Sequence, residues 1–207
     1  MMGQLKLPTA RRPYGIQQGA SLIVVLIILT IVSLLGIAAI QVSVMSERGA
    51  RNDRDQQLAW QGAEAALIDA ELDVFGSTAV TGSRNFLFMP TTDTTAFIDD
   101  CGANGNSYGL CTLTTASGKP AWLSVDFLVT GSSAHTAYYG QYTGRSFQAG
   151  GTGVQPAAVP RYIVELIRDP GQRDLGSTDA KFIYRITAMG FGPRTEVQAV
   201  VQMLYRD

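Results

Sequence analysis

An uninterrupted apolar segment near the N-terminus constrains this chain more than any other feature. The 21 residues from 20 to 40 read ASLIVVLIILTIVSLLGIAAI, and no charged residue lies between Pro13 and Ser46. A helix rises 1.5 Å per residue, so this segment would span roughly 30 Å, the thickness of the hydrocarbon core of a bilayer. The segment therefore predicts a single membrane-spanning helix.

The charges around this segment predict its orientation. Lys6, Arg11 and Arg12 precede it, and the next cation is Arg48. Positive charge stays on the cytoplasmic side, so the chain from about Gln41 onward is expected in the periplasm. A cleaved secretory signal is the alternative, because small residues occur at 38–39. Such signals have an apolar core of about 7–15 residues, shorter than the segment here.

The helix is predicted to continue beyond the apolar segment, from about Ala20 to Phe75. Residues 47–74 contain no proline, and Gly76-Ser77 is a plausible stop. Apolar residues recur there at steps of three or four, which indicates one buried face. The residues predicted to pack this face on a sheet are Trp60, Ala63, Leu67 and Val74. The acidic residues assigned to the other faces are Glu64, Asp69, Glu71 and Asp73.

The C-terminal part of the chain predicts a β-sheet. Alternating residues indicate strands over 162–167, 182–188 and 195–205, with turn residues at 190–193. Three strands with short connections form an antiparallel meander, and its apolar face can cover the helix. The expected fold class is α+β, with a long N-terminal helix packed on a C-terminal antiparallel sheet. Loops and short strands are expected over 77–160, including a strand at 121–129.

The chain has two cysteines, Cys101 and Cys111, both beyond the apolar segment. In an exported domain this pair predicts a disulfide bond. Two free thiols or half of a zinc site are the alternatives. Zinc would need more ligands, and the only histidine is His135, which lies among small residues and is expected at the surface.

Composition and motifs give no sign of an enzyme, a cofactor or a nucleic-acid partner. The net charge is −1, and removal of residues 1–19 would take away three positive charges and leave −4. Asp169, Asp174 and Asp179 form an acidic loop without EF-hand spacing, so solvated charges are expected there rather than a calcium or other metal site. No phosphate loop, nucleophile elbow or acid pair stands out.

A basic leader, a glycine and a long apolar helix that runs into a sheet together resemble the type IV pilins. The boundary reads QQGASL at 17–22, similar to the site at which prepilin peptidase cuts after Gly and the new N-terminus is methylated. The resemblance implies a leader at 1–19 that ends at Gly19, and a mature, N-methylated Ala20. The family usually has Phe at that position, so Ala20 is a departure. The helix half at 20–45 would serve membrane insertion and assembly, and 46–207 would form the periplasmic domain.

The fifth mature position narrows the resemblance to the PilX-type minor pilins. Most pilins carry Glu there, whereas this chain has Val24. The motifs shared with the PilX type are GASL at 19–22, RNDRDQQLAWQGAEAAL at 51–67, GLC at 109–111, YIVE at 162–165, YRITA at 184–188 and GFG at 190–192. The similarity is strong over the helix, fair over the last strands and patchy over 77–160.

The missing Glu implies a place at the filament tip. In the family, this Glu is thought to neutralise the N-terminal amine of the subunit above, and a buried unpaired ion costs several kcal/mol. Val24 has no charge to offer, so it is tolerated best in a subunit with no neighbour above. The implied partners are other minor pilins, the major pilin, a tip adhesin, prepilin peptidase and the inner membrane, before the protein enters the pilus fibre at the cell surface.

Two other functions stay open from the sequence. A tip pseudopilin of a type II secretion system also lacks the Glu, but it usually carries a larger helical insertion than the 188 residues left after 1–19 can hold. A periplasmic domain on a single-pass anchor is the third possibility, and it predicts no cleavage at Gly19.

Overall fold

The structure is a computed structural model, and it describes residues 20–76, 83–89, 92–113, 118–169, 171 and 181–206, apart from the side chain of Ala20. The leader with Gly19, and Asp174 and Asp179 of the acidic loop, lie outside the described residues. The chain divides into two compact units, with the boundary between Gly49 and Ala50. That boundary lies a few residues after the predicted one at 45–46.

The N-terminal helix, α1, extends over Ala20–Phe75, as predicted from the absence of proline and the stop at Gly76. Within its apolar half, the hydroxyls of Thr30 and Ser33 donate hydrogen bonds to the backbone oxygens of Ile27 and Leu29, at 2.7 and 2.8 Å. These bonds satisfy the polar groups inside an apolar segment without a partner outside the helix. The helix ends where the amide of Gly76 donates to the carbonyl of Leu72.

Within the described residues, the second unit contains a mixed β-sheet of five strands, one short α-helix and four single 3-10 turns. The strands and the α-helix that follow α1 are β1 (Leu110–Thr112), α2 (Ala121–Ser124), β2 (Ala137–Tyr138), β3 (Arg161–Arg168), β4 (Phe182–Phe191) and β5 (Gln198–Arg206). The strand order is β1-β3-β4-β5, and β2 pairs with β3. β3, β4 and β5 pair antiparallel, which confirms the predicted meander. β1 adds a parallel partner to β3, which makes the sheet mixed.

Two local predictions differ from the structure. The strand expected at 121–129 is wrong: α2 forms one helical turn there, with the amide of Val125 donating to the carbonyl of Ala121, and a loop follows. Pro120 is the N-cap residue of this turn, with φ −56° and ψ 141°. The last strand begins at Gln198 rather than at 195, because Gly192 and Val197 close the preceding turn by a 2.8 Å backbone bond.

The core of the second unit lies between the last turns of α1 and the sheet. Ala66, Ala70 and Val74 of α1 cluster with buried strand residues such as Tyr162 and Ile186. The helix face is lined mainly by small side chains, so the helix approaches the sheet closely. At Gly190 of β4, a Cβ atom would overlap the carbonyl oxygen of Ala59 and the amide nitrogen of Ala63.

The four residues predicted to pack the helix on the sheet have different environments. Ala63 and Val74 are fully buried, and Leu67 is partly buried against the core. Trp60 lies outside this packing: it is 49% exposed, and its indole N–H donates to Glu64 Oε1. Ala59 and Ala63 face β4 where the helix and the strand approach most closely, at Gly190. The indole of Trp60 would not fit there.

Candidate functional site

The first unit presents a long, mostly apolar surface over residues 21–40. Every side chain from 21 to 49 is exposed in the single chain, and α1 is long and apolar enough to cross a membrane by length and composition. An exposed apolar surface of this size requires lipid or other helices around it. An N-terminal helix of this kind fits membrane anchoring.

Val24 lies on this exposed surface, with 53% of the side chain accessible. The nearest acidic residue along α1 is Glu47, more than six turns of helix further on. No carboxylate of the apolar half of α1 is therefore available to a neighbouring amine. Gly19 and the side chain of Ala20 are not among the described residues, so the cleavage and methylation sites stay predictions.

A buried ion pair joins α1 to the loops of the second unit. Asp73 and Arg84 are both fully buried, and Arg84 Nε donates to Asp73 Oδ2 at 3.0 Å. The hydroxyl of Tyr162 donates to the same oxygen at 2.9 Å. Arg84 Nη1 donates to the carbonyls of Asn106 and Tyr108 at 2.9 and 2.6 Å. The pair therefore connects α1, β3 and two loop segments at one point.

The protonation states of this cluster suit its hydrogen bonds. Burial raises the pKa of Tyr162 well above its ordinary value of 10, so the hydroxyl remains a donor to Asp73. Burial also raises the pKa of Tyr142 to about 12, and its hydroxyl donates to the carbonyl of Gly105. Burial alone would lower the pKa of Arg84, but the nearby charge of Asp73 raises it overall, so Arg84 stays charged.

Asp69 fixes a second loop to the same face of α1. It accepts hydrogen bonds from the amide of Gly140 at 2.7 Å and from the hydroxyl of Thr143 at 2.5 Å, and Arg145 lies 3.7 Å away. Burial raises the pKa of Asp69, and these hydrogen bonds oppose the shift. Asp69 thus holds the loop over 140–145 against the helix.

The assignment of Asp69 and Asp73 to helix faces other than the buried one is wrong. Both are fully buried, whereas Glu64 and Glu71 are exposed as expected. The signal was present in the sequence, since Asp69 lies three residues after Ala66 and Asp73 three after Ala70, on the buried stripe. The prediction left both residues off the buried face because they are charged. Their partners, Arg84 and the loop at 140–143, are distant in sequence and could not be recognised from it.

The disulfide expected from the cysteine pair is present between Cys101 and Cys111. It packs with Phe127 and Ile163 in a small buried cluster beside β3. His135 is exposed, and its Nδ1 lies 2.7 Å from the carbonyl oxygen of Cys101. In the described part of the chain, no group of three or more His, Cys, Asp or Glu side chains could hold a metal ion.

We expect the disulfide to contribute measurably to stability. Replacing both cysteines by serine opens a short loop and should lower the free energy of unfolding by roughly 2–3 kcal/mol in the chain-entropy picture. The measurement is thermal unfolding of the full chain in detergent micelles, with and without reductant. Reductant should lower the melting temperature of the wild type toward that of the Cys101→Ser/Cys111→Ser variant and leave the melting temperature of the variant unchanged. Equal melting temperatures for wild type and variant without reductant would refute this contribution.

Two models of known protein families match this chain. Residues 18–67 match the model of the PilX N-terminal region, and residues 91–207 match that of the type IV pilus assembly protein PilX C-terminal region. The second match alone covers more than half of the 207 residues. The chain belongs to the PilX family. No curated protein and no solved structure matches it.

Membership of the PilX family confirms the resemblance inferred from the motifs. The protein is a pilin-like component of type IV pilus assembly, and the family favours a pilus over a secretion pseudopilin. Asp69, Asp73 and Arg84 lie in the range 68–90, between the two matched regions. The α1 residues 51–67, which carry the longest shared motif, lie within the first match.

Proposed function

We propose that this protein is a minor pilin that primes assembly of the type IV pilus and lies at or near its tip, together with other minor pilins and an adhesin. The observation that carries the proposal is Val24, an uncharged residue at the position where most pilins carry Glu. Membership of the PilX family supports the comparison with pilins on which this position depends.

The electrostatics of filament assembly explain the tip location. Inside a bundle of apolar helices, an unpaired N-terminal amine costs several kcal/mol even after relaxation. A subunit with Glu can pair with the amine of the subunit above it, whereas a subunit with Val24 leaves that amine unpaired. The chain therefore fits best where no subunit lies above. This is the first position to assemble, which also accounts for a priming role.

The same features support a route from membrane to fibre. The exposed apolar half of α1 would hold the protein in the inner membrane, with the second unit in the periplasm. Prepilin peptidase would remove 1–19 before the helix moves into the fibre. No enzymatic activity, cofactor or nucleic-acid partner forms part of the proposed function.

Leader processing is the first test of this route. We expect cleavage between Gly19 and Ala20 with a methyl group on the Ala20 amine, seen by mass spectrometry of the mature N-terminus. Gly19→Val should leave the full-length protein in the membrane, because a bulky residue does not fit where the peptidase requires glycine. Gly15→Val, the same change inside the leader, should be processed normally. A mature N-terminus near Gln41 would instead identify an ordinary secretory signal.

Val24→Glu tests the argument from charge. The new carboxylate can neutralise the amine of a neighbouring subunit, so the variant should enter the pilus shaft more often than wild type. Val25→Glu is the matched control, because it places the same charge one residue away with a similar cost of insertion. Quantitative immunogold labelling along isolated pili measures the difference. If Val24→Glu and wild type have the same distribution, the argument from Val24 fails.

A further inference from the structure

A cavity of about 250 Å³ opens beside the start of β3, separate from the Asp73–Arg84 ion pair. Its lining includes three aromatic side chains, and two of them, Phe127 and Phe191, are only 3% and 1% exposed. Leu128 and Tyr138 form its rim, and Arg161 is the one charged residue in its lining. The cavity is therefore an apolar pocket with a single cation, and we name it the Arg161 pocket.

Arg161 is held rigidly but is only partly satisfied. Its guanidinium donates from Nε to the hydroxyl of Thr136 and from Nη2 to the carbonyl of Thr136 at 2.8 Å. Within the described residues, Nη1 has no hydrogen-bond partner in the protein but is not fully buried. The guanidinium carbon lies 5.9 Å from the centre of the Tyr138 ring, and no described carboxylate forms an ion pair with Arg161. Burial lowers the pKa of Arg161, and only the tyrosines Tyr138 and Tyr108 oppose the shift.

The other buried or half-buried arginines in the described part of the chain have carboxylate partners. Arg84 pairs with Asp73, and Arg185 forms two bonds of 2.7 Å with Glu165. Arg161 has only 7% of its surface exposed, yet it has no such partner in the described part of the chain. A largely buried guanidinium with open N–H groups and no carboxylate beside it makes the pocket electrostatically complementary to a carboxylate.

The rim indicates what carries this carboxylate. Leu128 is 48% exposed and Tyr138 46% exposed, so apolar surface extends from the mouth of the pocket onto the outside of the protein. A small free anion would contact the guanidinium and leave this rim uncovered. A polypeptide can insert one acidic side chain and cover the rim with its neighbouring apolar residues, as anchor residues do at protein interfaces.

We propose that the Arg161 pocket binds an acidic side chain of a partner polypeptide, whose flanking apolar residues pack on Leu128 and Tyr138. The carboxylate accepts hydrogen bonds from the free N–H groups of Arg161, and its methylene groups contact Phe127 and Phe191. This interaction does not depend on whether the protein lies at the tip or elsewhere in the fibre.

The test uses the full chain in detergent micelles and three probes. The first is the blocked peptide acetyl-Leu-Glu-Leu-amide, the second its neutral counterpart acetyl-Leu-Gln-Leu-amide, and the third is glutarate, a carboxylate without flanking residues. Binding is followed by NMR through the Arg161 Nε–H signal and the ring signals of Phe127 and Phe191. The Glu peptide should bind about tenfold or more tightly than the Gln peptide, because a charge-assisted hydrogen bond is lost in the latter.

Two variants locate the binding. Arg161→Gln should give the Glu peptide and the Gln peptide equal affinity. Leu128→Ala changes an exposed residue and keeps the fold. It should lower the affinity for the Glu peptide severalfold and leave the affinity for glutarate unchanged. If Arg161→Gln does not fold, the peptide comparison and Leu128→Ala decide. Equal affinity for the two peptides, or no binding of the Glu peptide, would overturn the proposal. Glutarate binding as tightly as the Glu peptide would identify a small carboxylate as the ligand and overturn the polypeptide partner.

Discussion

Arg84→Met should destabilise the second unit by about 3–5 kcal/mol, the usual effect of removing one partner of a buried ion pair. The change leaves the Asp73 carboxylate fully buried with the Tyr162 hydroxyl and one backbone amide as its remaining donors. It also removes the donors to the carbonyls of Asn106 and Tyr108. Thermal and denaturant unfolding of the full chain in micelles, followed by near-ultraviolet circular dichroism, measure the loss.

Arg206→Met is the matched control for this effect. Arg206 pairs with Asp169 at 3.2 Å, but its side chain is 62% exposed, so solvent screens the interaction. Its loss should cost no more than about 1 kcal/mol. The double variant Asp73→Leu/Arg84→Met should be more stable than Arg84→Met alone, because it removes the unpaired charge. If Arg84→Met loses no more stability than Arg206→Met, the ion pair does not hold the loops to the helix.

Gly190→Ala should lower the free energy of unfolding by about 3 kcal/mol, at the upper end of the range for overpacked side chains. The added Cβ would overlap the backbone of Ala59 and Ala63, and the nearest atoms of Gly62 belong to the backbone as well. Backbone atoms cannot move aside as the end of a flexible side chain can, so β4 and α1 must separate. The apolar core around Ala66, Ile186 and Ala188 would then be loosened. The same unfolding measurements apply.

Gly49→Ala provides the control for a glycine on α1. A Cβ at this position meets no atom within 4 Å, so only helix propensity changes. The substitution should be neutral or stabilise the helix by up to about 1 kcal/mol. Equal unfolding midpoints for Gly190→Ala and wild type would show that the helix does not approach β4 as closely as described.

The elements that the sequence predicts well are those with a long, regular pattern. Helix α1 followed from uninterrupted apolar residues, the absence of proline and the stop at Gly76. The strands β3, β4 and β5 followed from alternation and turn residues. By contrast, β1 has three residues and pairs with a strand some fifty positions later, so it carries no local signal. The segment at 121–129 has apolar residues that suit a strand, but Pro120 begins a helical turn there.

The polar interior could be predicted only in part. Asp69 and Asp73 lie at the spacing of the buried stripe. Their burial depends on Arg84 and on the loop at 140–143, which contact the helix only in the folded chain. Trp60 matches the spacing of the stripe but is half exposed, because the close contact of Gly190 with Ala59 and Ala63 sets the rotation of α1. Arg161 gave no sequence signal, since its pocket is formed by segments from three separate parts of the chain.

The most direct test of the proposed function is the location of the wild-type protein on the pilus. Immunogold labelling of isolated fibres, combined with counts of pili on cells that lack the protein, measures both location and priming. We expect gold at filament ends or sparsely, and a deletion that lowers the number of pili without changing their diameter. Uniform labelling along the shaft at the abundance of a major pilin, with unchanged pilus number on deletion, would contradict the proposal.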